Sequence, residues 1–225
     1  SASGNMSFDN AQIEIRDRFA EANSLLHFLR ENEPEPLQPT TSNMKSLKGL
    51  WLVSIYSAVE RSVNTIIESA LEVIISHNNR SIDCIASIHS ILHFNEIKSI
   101  NECGKNKIFD KSISLFQATF SETALKITDN PLAESLQNVD ANTMSWVLKL
   151  FGAPNFSVSP ASIGRVNTLR ERRNAVAHGR ESALEAGERY TIDELANIYN
   201  AADEVVTAFL LNLSAHCTNQ NYIKR

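Results

Sequence analysis

Arg170-Glu171-Arg172-Arg173-Asn174-Ala175-Val176-Ala177-His178-Gly179 is the stretch that decides how this chain is read. It reads as the last turns of a helix, stopped by a glycine that can take the left-handed conformation. Each helical residue advances about 100° around the axis. With Val166 as reference, Leu169, Val176 and Ala177 fall within about 80° of it, an apolar stripe suited to a core. Arg173 lies inside that stripe, about 20° from Val166 by the same arithmetic. An arginine keeps its proton, so at such an angle it must snorkel, pair with an acid or bind an anion. Asn174 and His178 stand four residues apart and share a neighbouring face. His178 occupies the C-terminal turn, where the helix dipole favours a cation. One short segment therefore presents a permanent cation, an amide and a titratable imidazole.

The charge around it is local. Residues 165–180 hold five arginines (165, 170, 172, 173 and 180) against Glu171, a sum of +4, in a chain whose net charge is −5. A negative chain is poorly suited to broad nucleic-acid binding, so any RNA contact must be a patch. Charge clusters are ordinarily solvated helix faces; Arg173 departs from that by its angle. The 225 residues suffice for one helical domain with a sizeable core. An apolar content of 43% argues against disorder, and seven glycines beside long periodic runs favour helices. Cys84, Cys103 and Cys217 form no CxxC pair, so neither a zinc knuckle nor a disulfide framework is expected. A reducing cytosol is the natural compartment for such thiols. No signal peptide or apolar run of membrane-spanning length stands out. Ser1 to Asn5, ahead of Met6, reads as a cloning remnant.

Taken in order, residues 8–31 make a first helix, with Ile15, Phe19, Leu25, Leu26 and Leu29 at helical spacing. Glu33 to Pro39 carries three prolines and predicts an extended linker, closing an N-terminal unit of residues 6–43. Ser42 or Asn43 is placed to cap the next helix. That helix, residues 44–76, is the longest periodic run, from Leu47 through Trp51, Ile55, Val59, Val63, Ile66 and Ala70 to Ile74. Tyr56 and Glu60 share one side of it. Residues 81–93 predict a shorter helix; its His89 and His93 stand four apart but find no acid or cysteine at a spacing that completes a metal site. A turn comes at 102–106, then a weaker helix at 107–127, a break at Pro131, and a helix at 144–151 capped by Thr143. Ser159-Pro160 opens the motif helix. Residues 180–190 read as a polar loop. Thr191-Ile192-Asp193-Glu194 is a capping box that opens the last helix, 192–215. The tail from Thr218 is expected to fray.

The pattern Arg173-Asn174-x-x-x-His178, at an arginine-rich helix end finished by Ala-His-Gly, resembles the RNxxxH motif of the HEPN superfamily. The motif is short, and it gains specificity from the long helix carrying Tyr56 and Glu60 before it and the long helix after it. The likeness runs from about Ser46 to Leu213, and the chain is similar to stand-alone HEPN proteins of bacterial toxin and defence systems. It implies an all-α, HEPN-like bundle over residues 44–217, with a long core helix, extra middle helices, a motif helix and a long final helix. The middle third, residues 80–151, resembles nothing in that pattern and is expected to set partner choice or substrate access.

The resemblance also implies chemistry. RNA cleavage without metal requires the 2′-hydroxyl to lose a proton, the phosphorane charge to be held, and the leaving 5′-oxygen to gain a proton. Histidine suits proton transfer near neutral pH, and arginine matches the spread of phosphate oxygens. One chain supplies one such histidine. Family members bring two motif segments together, so a homodimer with a composite site is implied, leaving a 2′,3′-cyclic phosphate and a 5′-hydroxyl. The catalytic residues are then Arg173, Asn174 and His178, with Arg170 and Arg172 gripping RNA and Glu60 or Tyr56 holding Arg173. No metal or other cofactor is implied. An antitoxin or a second defence subunit is a possible partner. Two other readings stand beside the nuclease: a non-catalytic HEPN-like module binding a nucleotide, RNA or protein, and a plain helical scaffold in which Arg173 makes a structural pair and His178 caps a helix.

Overall fold

The computed structural model describes residues 2–35, 38–127 and 130–225, with side chains from Ser7 onward. Among these residues are nine α-helices and no strand; the β pairing is two isolated bridges, Arg80 with Ala124 and Cys84 with Ile223. The chain is therefore an all-α bundle, as the periodicity predicts.

Its centre is α2 (Ser42–Ser76), which buries nineteen residues, including Leu52, Ile55, Val59, Val63, Ile66, Ile67 and Ala70. A helix that is apolar around so much of its circumference has to be surrounded. It is flanked by α1 (Ala2–Glu31), α7 (Pro160–Ala177), α8 (Ala183–Gly187) and α9 (Ile192–Thr218). Trp51 donates its indole N–H to the Ala22 carbonyl at 2.8 Å, and Ile15, Phe19, Leu26 and Leu29 are buried in the same core. α1 thus belongs to the bundle, and no boundary at residue 44 separates it from the rest. Thr41, not Ser42 or Asn43, caps α2, accepting from the Met44 amide at 3.2 Å. Within the expected linker, Pro36 and Leu37 lie outside the described residues, as does Ser1 of the expected remnant.

The middle third differs most from expectation. The helix predicted at 81–93 is a 3-10 turn, Ser81–Asp83, followed by α3 (Ala86–Leu92). A helix not anticipated, α4 (Phe94–Glu102), precedes α5 (Ile108–Thr119), which stops well short of residue 127. α6 (Ala141–Phe151) is capped by Asp140, whose Oδ1 accepts from the Thr143 amide at 2.7 Å, rather than by Thr143 itself.

Two further corrections bear on the site. The polar loop expected at 180–190 contains α8, opened by a Ser182–Glu185 capping box. α8 lies directly on the backbone of α2: a Cβ on Gly49 would stand 1.9 Å from the Ala183 carbonyl oxygen, and one on Gly187 1.8 Å from that of Lys45. Only glycine permits that approach, and it seats the segment that comes after the motif. The tail does not fray. Tyr222 is fully buried, its hydroxyl lies 2.9 Å from His77 Nδ1, and its carbonyl accepts from Ile85 N at 2.9 Å. No described helix is long and apolar enough to cross a membrane.

Candidate active site at the end of α7

α7 begins as its sequence predicts: Ser159 Oγ accepts from the Ser162 amide at 3.0 Å, and Pro160 takes the first turn, where its missing N–H costs nothing. Its buried residues are Ser162, Val166 and Leu169. The apolar stripe predicted to continue through Val176 and Ala177 stops there: Val176 is half-buried and Ala177 exposed. The last two turns run beyond the core, and they are the turns that carry the motif.

Arg173 faces α2. Its guanidinium carbon lies 4.7 Å from the centroid of the Tyr56 ring. Nη2 donates to Glu60 Oε2 at 3.3 Å and Nη1 donates to Asn174 Oδ1 at 2.9 Å. Cation–π contact and a charged hydrogen bond both favour a guanidinium over an ammonium here. The side chain remains 24% exposed, so it is not closed off from solvent. Burial lifts the Glu60 carboxyl above its ordinary range, and the Arg173 charge pulls it back only in part. Burial and the Glu60 charge push the Tyr56 phenol up to about 12, so it stays protonated. The Tyr56 hydroxyl is buried near the Val139 backbone and Glu60, without a hydrogen bond of good geometry to either. Of the expected supporting residues, both Glu60 and Tyr56 touch Arg173.

His178 is the C-cap of α7. Its amide donates to the Asn174 carbonyl at 3.1 Å, while its imidazole is exposed and makes no hydrogen bond among the described residues. Gly179 is next, with φ 68°, the left-handed turn its sequence position predicts. The Arg180 and Glu181 amides both donate to the Ala175 carbonyl, at 2.9 and 3.2 Å, folding the chain back over the helix end. Arg173 is thus turned inward, His178 outward, and Asn174 lies between.

The other two arginines are engaged elsewhere. Arg170 hydrogen-bonds the carboxylate of Asp140, which is 3% exposed and also caps α6. Arg172 pairs with Glu181 at 3.5 Å, and Glu181 in turn meets Arg189 at 2.6 Å. Sequence reasoning missed both acids. Asp140 carries the signal of a helix cap, three residues before Thr143. Nothing in the sequence marks Glu181.

A cleft of about 470 Å³ between α7 and α9, lined by Gly164, Arg165, Thr168, Tyr190, Glu194 and Ile198, sits roughly two turns before the motif. It holds none of the motif residues and no acid–base pair, so we do not place the chemistry there. His89 and His93 stack with centroids 5.6 Å apart, and burial holds both below the usual histidine range. Among the described residues no group of three or more His, Cys, Asp or Glu is placed to hold a metal.

No curated protein and no solved structure matches the chain. The family model described as RiboL-PSP-HEPN matches residues 13–212, which takes in the whole of α2 and α7, the C-terminal part of α1 from residue 13, and α9 as far as residue 212. HEPN domains are generally associated with ribonucleases. The match begins on α1, some thirty residues before the start that the sequence resemblance predicts, in keeping with the shared core. Its extent, the all-α bundle and the Arg173-Asn174-x-x-x-His178 helix end agree, and the chain belongs to the HEPN family.

Proposed function

We propose that this protein is an endoribonuclease that needs no metal ion, with a site completed by the same helix end of a second copy. One observation carries the reading: a partly exposed arginine whose guanidinium is anchored on an aromatic face, on the helix whose exposed cap is a histidine without a hydrogen bond among the described residues. Glu60 and Tyr56 fix the direction of Arg173. A phosphate that reaches this guanidinium meets planar N–H donors and a permanent positive charge. Asn174 uses its carbonyl oxygen on Arg173 and keeps its amide hydrogens for a phosphate oxygen or an imidazole.

In this reading one His178 takes the proton of the 2′-hydroxyl. The 2′-oxygen then bonds to phosphorus, the bond from phosphorus to the 5′-oxygen breaks, and a second His178 returns a proton to that leaving oxygen. The products are a 2′,3′-cyclic phosphate and a 5′-hydroxyl. Two histidines are wanted and each chain offers one at this position, which is why the site calls for two copies. The exposed, uncovered end of α7 suits such an arrangement. Arg170 and Arg172, paired with Asp140 and Glu181, act here as positioning residues, leaving the exposed Arg165 and Arg180 for the RNA backbone. A cellular role as a toxin or antiviral effector, restrained by an antitoxin or a second subunit, fits a nuclease of this kind.

A second reading has its own observation. Arg173 already holds an acid partner, which suits a module that binds RNA or protein without cutting. Incubation of total RNA with the protein in excess EDTA separates the two. Cleavage that persists with chelator and is lost in both Arg173→Ala and His178→Ala supports the nuclease. Intact RNA that is nonetheless bound supports the second reading.

A further inference from the structure

α4 and α5 are the two helices of the described chain that contain no buried residue. α5 leans on the rest of the fold through polar contacts: Ser81 Oγ donates to the Ala118 carbonyl at 2.9 Å, and Lys111 Nζ to the Ser99 carbonyl at 3.1 Å. Its outer side is apolar. Phe109, Ile113, Phe116 and the C-cap residue Phe120 are 78%, 55%, 61% and 66% exposed. At 100° per residue these four fall within about 60° of arc. Together they expose roughly 500 Å² of hydrophobic surface, taking about 200 Å² for each full side chain. That is the size of the largest patch expected on an ordinary monomer, and such patches mark interaction sites.

We propose that this face pairs α5 with α5 of a second copy, antiparallel across a two-fold axis. The spacing is self-complementary. The stripe runs 109, 113, 116, 120, in steps of four, three and four, the seam of a two-helix pair. It is therefore symmetric about its midpoint. A two-fold axis there sets Phe109 opposite Phe120 of the other copy, and Ile113 opposite Phe116. The same axis carries the charges that flank the stripe. Lys107, exposed just before α5, falls opposite Glu122, exposed just after it. Lys105 lies at the same end as Lys107. An antiparallel pair thus brings Lys107 to an unlike charge at each end, and it also aligns the two helix dipoles antiparallel. Charges of both signs around the stripe give nothing to a polyanion. Two copies of the patch bury about 1,000 Å², the lower bound for a biological interface and the range of a weak, reversible pair.

This interface is distinct from the motif. α5 contacts the 3-10 turn Ser81–Asp83 that follows α2, and the end of α2 at Ser76 lies about 24 Å along that helix from Glu60. It does not depend on the nuclease reading.

The test is solution mass by light scattering at tens of micromolar, on the full chain. Phe109→Glu with Phe116→Glu is expected to halve the mass at an unchanged helical melt, because neither residue is buried within the chain. Lys107→Glu alone is expected to weaken association severalfold, with unlike charge replaced by like at both symmetric ends. Adding Glu122→Lys is expected to restore it. His178→Ala should leave this step of association intact, which separates it from any pairing through the motif. The same mass for wild type and the double glutamate variant would overturn the proposal. So would a Lys107→Glu defect that Glu122→Lys does not repair, because the two-fold register sets residue 107 opposite residue 122.

Discussion

The two halves of α7 obey different rules. From Pro160 to Leu169 the helix sends Ser162, Val166 and Leu169 into the core. From Arg170 onward it buries nothing and is held by charge: Arg170 to Asp140, Arg172 to Glu181, Arg173 to Glu60 over Tyr56. The first half fixes where the helix is. The second half fixes which way its side chains point, and leaves His178 in solvent. Packing tolerates exchange among apolar side chains as long as volume is kept. Ion pairs through buried acids do not, and they hold a polar constellation that a core would otherwise exclude.

This contrast can be broken most sharply at the tip. If the outer half works by chemistry, His178→Ala and Arg173→Ala each lower the RNA cleavage rate by about 10²–10⁴-fold, the range of a lost acid–base or charge-stabilising group. Single-turnover kinetics reads that loss. His178→Ala should keep the wild-type melting temperature, since the imidazole is exposed and makes no hydrogen bond among the described residues. The converse holds further in. Leu169→Ala is expected to cost about 2–5 kcal/mol in urea unfolding, as for a buried leucine, with cleavage per folded molecule unchanged. Asp140→Ala sits between the two regimes. It strips the cap of α6 and leaves Arg170 without its acid, for a loss of about 1–3 kcal/mol. Asp140→Asn keeps the capping oxygen, and its smaller loss isolates the charge.

Glu60→Gln has the smallest expected effect, and its pH dependence gives the sign. The Glu60 carboxyl is raised in the fold, by burial ahead of the opposing Arg173 charge. A carboxyl raised above its unfolded value favours the folded state below the unfolded pKa and loses that advantage as pH rises through the folded one. At neutral pH the ionised group is therefore a small cost. Glu60→Gln, which can still accept from Arg173, is expected to be neutral or slightly stabilising at pH 7 in a thermal melt. The difference should shrink as pH falls below the carboxylate range. A large loss at pH 7 would mean that the ion pair, not burial, dominates there.

Much of this is legible in the sequence because it is periodic. α2, α7 and α9 each show helical spacing, and Ser159-Pro160 and Thr191 through Glu194 cap the latter two as they read. Arg173 is legible by angle: a cation among apolar positions must snorkel, pair with an acid or bind an anion, and in the fold it pairs with Glu60. What cannot be read is tertiary. No local signal says that the stripe of α7 leaves the core after Leu169, or that Arg170 and Arg172 meet Asp140 and Glu181. Tyr222 looks like part of a polar tail because one buried aromatic among Asn, Gln and Lys has no period. α5 misleads in the opposite sense: Phe116 and Phe120 look like core residues, and the chain offers them none.

The central claim is that the end of α7 is a site of reaction rather than a helix terminus. Its most direct test is end-group analysis of single-stranded RNA incubated with the protein in EDTA, beside His178→Ala. The expected result is 2′,3′-cyclic phosphate and 5′-hydroxyl ends from the wild type and intact RNA from a variant that melts at the same temperature. Intact RNA from both proteins, or equal cutting by both, would contradict it.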